Sequence, residues 1–117
     1  MPDDETTHAL LLGRMTGAGE AELARLALAR GALALGEERL WLAQPQLLGG
    51  PSVASVPLQD VGDVTVTPRR GLLGPRVDVE VVIAGRPVRF RAGGGADAAA
   101  RAGAFAAAVA AELRRRA

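Results

Sequence analysis

Residues 30–42 read RGALALGEERLWL, in which leucine alternates with smaller or polar residues on both sides of a pair of glutamates. Alternation at period two marks a strand with one buried face. With Glu37 and Glu38 as a two-residue loop, Leu35 opposes Leu40 and Leu33 opposes Leu42, so all four leucines share one face of a hairpin. A second hairpin is predicted over residues 76–92, where Val77, Val79, Val81 and Ile83 alternate. Its turn is read as Gly85-Arg86, of the II′ class because glycine takes the first position. That register sets Ile83 against Val88, Val81 against Phe90 and Glu80 against Arg91.

Residues 96–116 change period. Ala98, Ala102, Phe105, Val109 and Leu113 recur at spacings of three and four, which predicts an amphipathic helix. Asp97 suits its N-cap, and Arg114 to Arg116 suit its C-terminal end. Residues 20–30 carry two conflicting signals. Ala, Leu, Glu and Arg favour a helix, while Leu26 and Leu28 alternate with Arg25, Ala27 and Ala29 as in a strand. The strand is preferred because the hairpin that follows needs a sheet neighbour. Residues 9–15 fit either a short helix or an added strand, and the polar residues 1–8 read as mobile. Pro45, Gly49, Gly50 and Pro51 mark a loop over 43–52. A short strand near Val56 to Leu58 follows, then a kink, then a strand through Val64 and Val66. Pro57 confines its strand to a sheet edge or a strand start.

The chain therefore divides into an N-terminal segment over 1–18, mobile or partly helical, and a domain over 19–117. The domain is mainly β, with antiparallel strands followed by one C-terminal α-helix. A bent sheet or partly open barrel with the helix at one end would bury both apolar faces.

The order of motifs over roughly 20–116 resembles the bacterial branch of the pleckstrin-homology-like (PH-like) domains. They are Arg30-Gly31-x-Leu33-x-Leu35 running into Glu38-Arg39-Leu40, then Val56-Pro57-Leu58-x-Asp60-Val61. After these come Gly71-Leu72-Leu73-Gly74, Gly85-Arg86 with Phe90, and the Ala-rich helix. The resemblance implies a bent antiparallel barrel of about seven strands capped by the helix. It implies an interaction or oligomerisation module, sometimes at membranes, and no catalysis. Phosphoinositide-binding eukaryotic members carry clustered basic residues in the first hairpin. Their second strand also carries a basic-x-Arg pair; here that strand reads ALALG, and the helix lacks their Trp, Phe105 being the nearest substitute, so phosphoinositide recognition is not implied.

Composition narrows the chemistry. The 117 residues suit one domain, and a 49% hydrophobic content argues against disorder. Much of that content is Ala, so Leu, Val and Phe must supply the core. The absence of Cys excludes disulfides, iron–sulfur clusters and thiol nucleophiles. All 14 basic residues are Arg, while Lys, Asn and Tyr are missing. These three share AT-rich codons, so the bias reads as a GC-rich coding sequence rather than as selection for phosphate binding. A net charge of +1 is too small for strong non-specific nucleic-acid binding. The charge is uneven: seven acidic and three basic residues over 1–38 give −4, and six against eleven over 39–117 give +5. A mildly basic face or head-to-tail contact between copies would follow. No apolar run is long enough to span a bilayer. The acidic start, Asp3-Asp4-Glu5, differs from a signal peptide. The expected location is cytoplasmic, with peripheral attachment at the inner membrane face as the alternative.

Candidate reactive groups are few. His8 is the sole His and falls in the N-terminal tail. Ser52 and Ser55 lie in or beside a loop with no base nearby in sequence, and a catalytic triad needs a held His. No metal, cofactor or catalytic residue is assigned. Gly93 to Gly95 precede a helix but lack the Lys and Ser/Thr of a nucleotide loop, and Asp97 is acidic. They read as a flexible connection. Arg89 and Arg91 flank an inward Phe90, which leaves no aromatic platform for nucleic acid.

Two candidate surfaces remain. Trp41, beside Ala34, faces away from the leucine core and is either covered by the N-terminal segment or anchors a partner. In PRRGLLGPR over 68–76, Leu72 and Leu73 occupy a loop tip flanked by Arg69, Arg70 and Arg76. They either fold back onto the domain or meet an anionic membrane from within a basic collar. The leading expectation is a non-catalytic module contacting another protein or itself through Trp41 and Ala34. The alternative is a peripheral binder of anionic membranes through 68–76.

Overall fold

The computed structural model describes residues 2–45, 52–72 and 74–116, with side chains of the first helix described from Thr7 onward. Helix α1 (Pro2–Gly17) precedes strands β1 (Ala24–Leu28), β2 (Gly31–Leu35), β3 (Arg39–Gln44) and β4 (Ser52–Pro57). A 3-10 turn over Leu58–Asp60 leads to β5 (Val61–Gly71), β6 (Gly74–Ile83), β7 (Arg86–Arg91) and helix α2 (Ala98–Arg116). The loop expected over 43–52 lies largely outside the described residues.

The first hairpin forms in the predicted register, Leu33 against Leu42 and Leu35 against Leu40. The Gly36 N–H bonds the Arg39 carbonyl across the loop. The strand signal also prevails over helix propensity at β1, because β2 offers it a ladder from Ala24–Leu35 to Leu28–Gly31. In the second hairpin the turn is Ala84-Gly85, not Gly85-Arg86. Both residues have positive φ, 52° and 80°, as in a I′ turn. Val81 therefore opposes Val88, Val79 opposes Phe90, and Glu80 opposes Arg89 rather than Arg91. The slip is two residues, so every side chain keeps its predicted face.

The expected barrel is not formed. The strands make two open antiparallel sheets, ordered β1-β2-β3-β4 and β5-β6-β7. Pro57 ends β4 without a backbone donor, and the 3-10 turn breaks the extended chain before a β4–β5 ladder can start. At the other seam, among the described residues, the sheets meet through one bridge, Leu28 to Ala92. The Ala29 N–H to Arg91 carbonyl and Gly93 N–H to Ala27 carbonyl bonds reinforce that corner.

The main core lies between the sheets and α2. Leu26, Leu33, Leu35 and Leu40 from one sheet meet Val79, Val81 and Phe90 from the other. The helix stripe of Ala98, Ala102, Phe105 and Val109 joins them, all four buried. A second, smaller cluster forms on the outer face of β2–β3. There the alternation leaves only Ala32, Ala34 and Ala43 around Trp41, a floor low enough for Leu11 and Met15 of α1 to settle on.

Candidate functional site

Trp41 pairs with Ala34 across β2–β3 and faces away from the main core, as the alternation requires. Helix α1 covers both: Trp41 is 6% exposed and Ala34 is fully buried. The C-terminus of α1 closes in a Schellman turn, with Gly19 N–H bonding the Thr16 carbonyl and Glu20 N–H the Met15 carbonyl. This turn aims the Glu20 carboxylate at the first hairpin. It accepts from the Trp41 Nε1–H at 3.1 Å, the Glu38 N–H at 2.9 Å and the Arg39 N–H at 3.2 Å. Glu37 returns the contact by accepting from the Ala21 N–H at 3.1 Å. The hairpin loop also holds the far end of α2. Arg116 donates to the Glu37 carbonyl at 2.9 Å and to the Glu38 carboxylate at 2.6 Å. That hydrogen bond, with Arg116's charge, holds the Glu38 carboxyl below its usual range. Glu112 is lowered likewise, chiefly by its bond from Arg115. No local pattern marks the Glu20 clasp, since its donors stand 18 to 21 residues away.

The opposite end of the sandwich gathers three connections: the β1–β2 turn, the tip of the β5–β6 hairpin, and the β7–α2 loop. Together they frame a cleft of about 760 Å³. Pro68, Val77, Ala92 and Ala98 give it apolar walls, and Arg76 and Arg91 are among its polar lining. Leu72 stands at the hairpin tip fully exposed. It does not fold back onto the domain. Leu73 lies outside the described residues.

Arg69 and Arg76 sit directly opposite each other across β5–β6, a like-charge pair that would repel alone. Asp78, two residues along the same face and 5% exposed, offsets them. Its Oδ2 lies 2.7 Å from Arg69 Nε and 3.6 Å from an Arg76 terminal nitrogen. The Arg69 approach is off the hydrogen-bond direction, so the contact is an ion pair without a formed hydrogen bond. Arg91 opposes the same Asp78 from β7. One carboxylate thus pairs with two guanidinium groups, and a third arginine occupies the register position beside it on β7. Arg70 has no carboxylate within 4.0 Å among the described residues, so this end is net basic.

The remaining reactive candidates are not brought together. His8 lies in α1, beside Arg25 and 3.6 Å from Glu22, in a polar trio at the surface. The Ser55 hydroxyl accepts from Arg39 Nε at 2.8 Å. Among the described residues no group of three or more His, Asp or Glu side chains could hold a metal ion, and no helix is long and apolar enough to cross a membrane.

No protein-family model matches the chain, and no curated protein matches it by sequence. Two solved structures share its fold. A pleckstrin homology domain from Shewanella amazonensis SB2B aligns at 18% identity and a TM-score of 0.54, covering 69% of this chain and 78% of that one. The C-terminal domain of an unknown protein from Leishmania infantum aligns at 14% identity and a TM-score of 0.56, covering 91% and 97%. At these identities the likeness is one of fold alone.

Proposed function

We propose that the chain is a non-catalytic binding module that contacts another protein or a second copy of itself, with the basic loop end as its principal contact surface. The observation that carries this reading is Leu72, held wholly in water at the hairpin tip with Arg69, Arg70 and Arg76 behind it. Burying a leucine in a partner contributes about 1.5–3 kcal/mol, and the arginines favour an acidic surface around it. The PH-like fold supports a binding role. Trp41 and Ala34 join the contact only for a partner that displaces α1.

The same exposed leucine favours a second reading, attachment to an anionic membrane surface. Leu72 would enter the headgroup region while Arg69, Arg70 and Arg76 are drawn to the surface charge. Leu73 belongs to this reading through the sequence alone. Co-sedimentation with anionic and with neutral vesicles, at low and at physiological salt, separates the two. The protein-contact reading predicts no pelleting with either vesicle. Salt-sensitive pelleting with anionic vesicles alone, lost on Leu72→Asp, would transfer the function to the membrane.

A further inference from the structure

Two open sheets leave four strand edges, β1, β4, β5 and β7, and an unprotected edge is a template for pairing with another chain. Three of the four are blocked. The end of β1 is stitched to the strand leaving β7 through the Leu28–Ala92 bridge. β5 carries Asp63, Pro68, Arg69 and Arg70, has a register shift between Val61 and Val64, and packs against α2. β7 carries Arg86, Pro87, Arg89 and Arg91. β4 reads SVASVP and has no charged residue.

The ladder fixes which backbone groups of β4 point away from β3. Leu58 N–H bonds the Glu38 carbonyl, and β3–β4 pairs Leu40 with Val56, Leu42 with Ala54 and Gln44 with Ser52. Alternation along an antiparallel pair turns the N–H and C=O groups of Ser52, Ala54 and Val56 toward β3. Those of Val53 and Ser55 point away, as does the Pro57 carbonyl. Pro57 has no N–H, so the proline costs the sheet nothing at this edge. The only described approach to these outward groups is a long one, Arg39 to the Ser55 carbonyl at 3.4 Å.

We propose that β4 pairs antiparallel with β4 of a second copy about a two-fold axis at Ala54, joining two four-stranded sheets into one of eight strands. Val53 N–H would donate to the partner's Ser55 carbonyl, and Ser55 N–H to the partner's Val53 carbonyl. Symmetry repeats both bonds, so every outward donor of β4 is used. Ala54 is exposed and small, which suits the close approach at the axis. A two-fold pairs like with like. β4 brings no charged side chain of its own to the seam, where the Arg39 guanidinium of each copy lies against its own Ser55, whereas β7 carries three arginines. The proposal goes beyond the protein-contact reading, adding at the β4 edge a self-association surface separate from the basic loop end.

Sedimentation velocity of the full chain from about 1 µM to about 500 µM tests it, with circular dichroism confirming that each variant is folded. The wild type is expected to pass from monomer to dimer. Ala54→Arg places like charges at the axis and should weaken the dimer at least about tenfold. Val53→Pro removes an outward donor from each copy while sparing the β3–β4 ladder, and should also weaken it. Ala107→Arg, on the exposed side of α2, should not. A monomer throughout overturns the proposal, and leaves contact with a different protein untouched. A dimer indifferent to both β4 variants also overturns it, and assigns self-association to another surface.

Discussion

The seating of α1 over Trp41 decides which surfaces the protein can offer, and Leu11→Ala tests it. Leu11 is fully buried and shares a cluster with Met15, Trp41 and the three outer-face alanines. Truncation removes the equivalent of three methylenes, about 2.4 kcal/mol at roughly 0.8 kcal/mol each. The unfilled space left behind raises the cost to about 3 kcal/mol, within the range for buried leucines. That is a large share of the 5–15 kcal/mol typical of a domain's whole stability. Trp41 is the sole Trp, so its fluorescence reports this seat alone. Urea unfolding followed by Trp emission and by far-ultraviolet dichroism should show the wild-type Trp blue-shifted. The variant should lose about 3 kcal/mol, or show its emission shift preceding the loss of dichroism if α1 leaves first. A loss below about 1 kcal/mol with unchanged emission would refute the seating.

Three further outcomes are expected. Gly31 has a φ of 107°, and a Cβ there would lie 2.0 Å from the Ala43 carbonyl oxygen. Gly31→Ala should therefore cost more than about 3 kcal/mol in a urea titration, and an unchanged midpoint contradicts the β2–β3 geometry. Glu38 is held below its usual range by Arg116, so the stability it gives is present above the ordinary carboxylate range and is lost as pH falls through the lowered value. Between about pH 5 and pH 3 the wild type should lose stability more steeply than Glu38→Gln, and equal slopes contradict the Arg116 contact. Leu72 touches nothing that holds the fold, so Leu72→Asp should change the melting midpoint by less than about 0.5 kcal/mol equivalent. A larger loss would mean that the tip packs on the domain.

Much of the fold was legible because period two survives any ambiguity of propensity. The leucines of residues 33–42 set the first hairpin's register, and Leu26 with Leu28 identified β1 against a helix-favouring composition. The second turn was misplaced because glycine at a first turn position suggests II′, whereas Ala84 takes a left-handed conformation that alanine disfavours. Closure was not legible. Whether β4 meets β5 depends on where the chain goes after Pro57, and no side-chain pattern records it. The outward face of Trp41 was readable, but its cover was not. The covering helix runs back to Pro2 through polar residues, and the Glu20 clasp joins groups distant in sequence. At the loop end the basic tip was visible, while Asp78 was missed as the carboxylate beneath Arg69 and Arg76.

A photo-cross-linking residue at position 72, in cells expressing the full chain, shows whether the loop end makes the functional contact, with the same residue at position 107 on the exposed side of α2 as control. Protein adducts, to a second copy or to a different chain, are expected from position 72 and not from position 107. Equal adducts from both positions, or none from position 72, would contradict the loop-end contact.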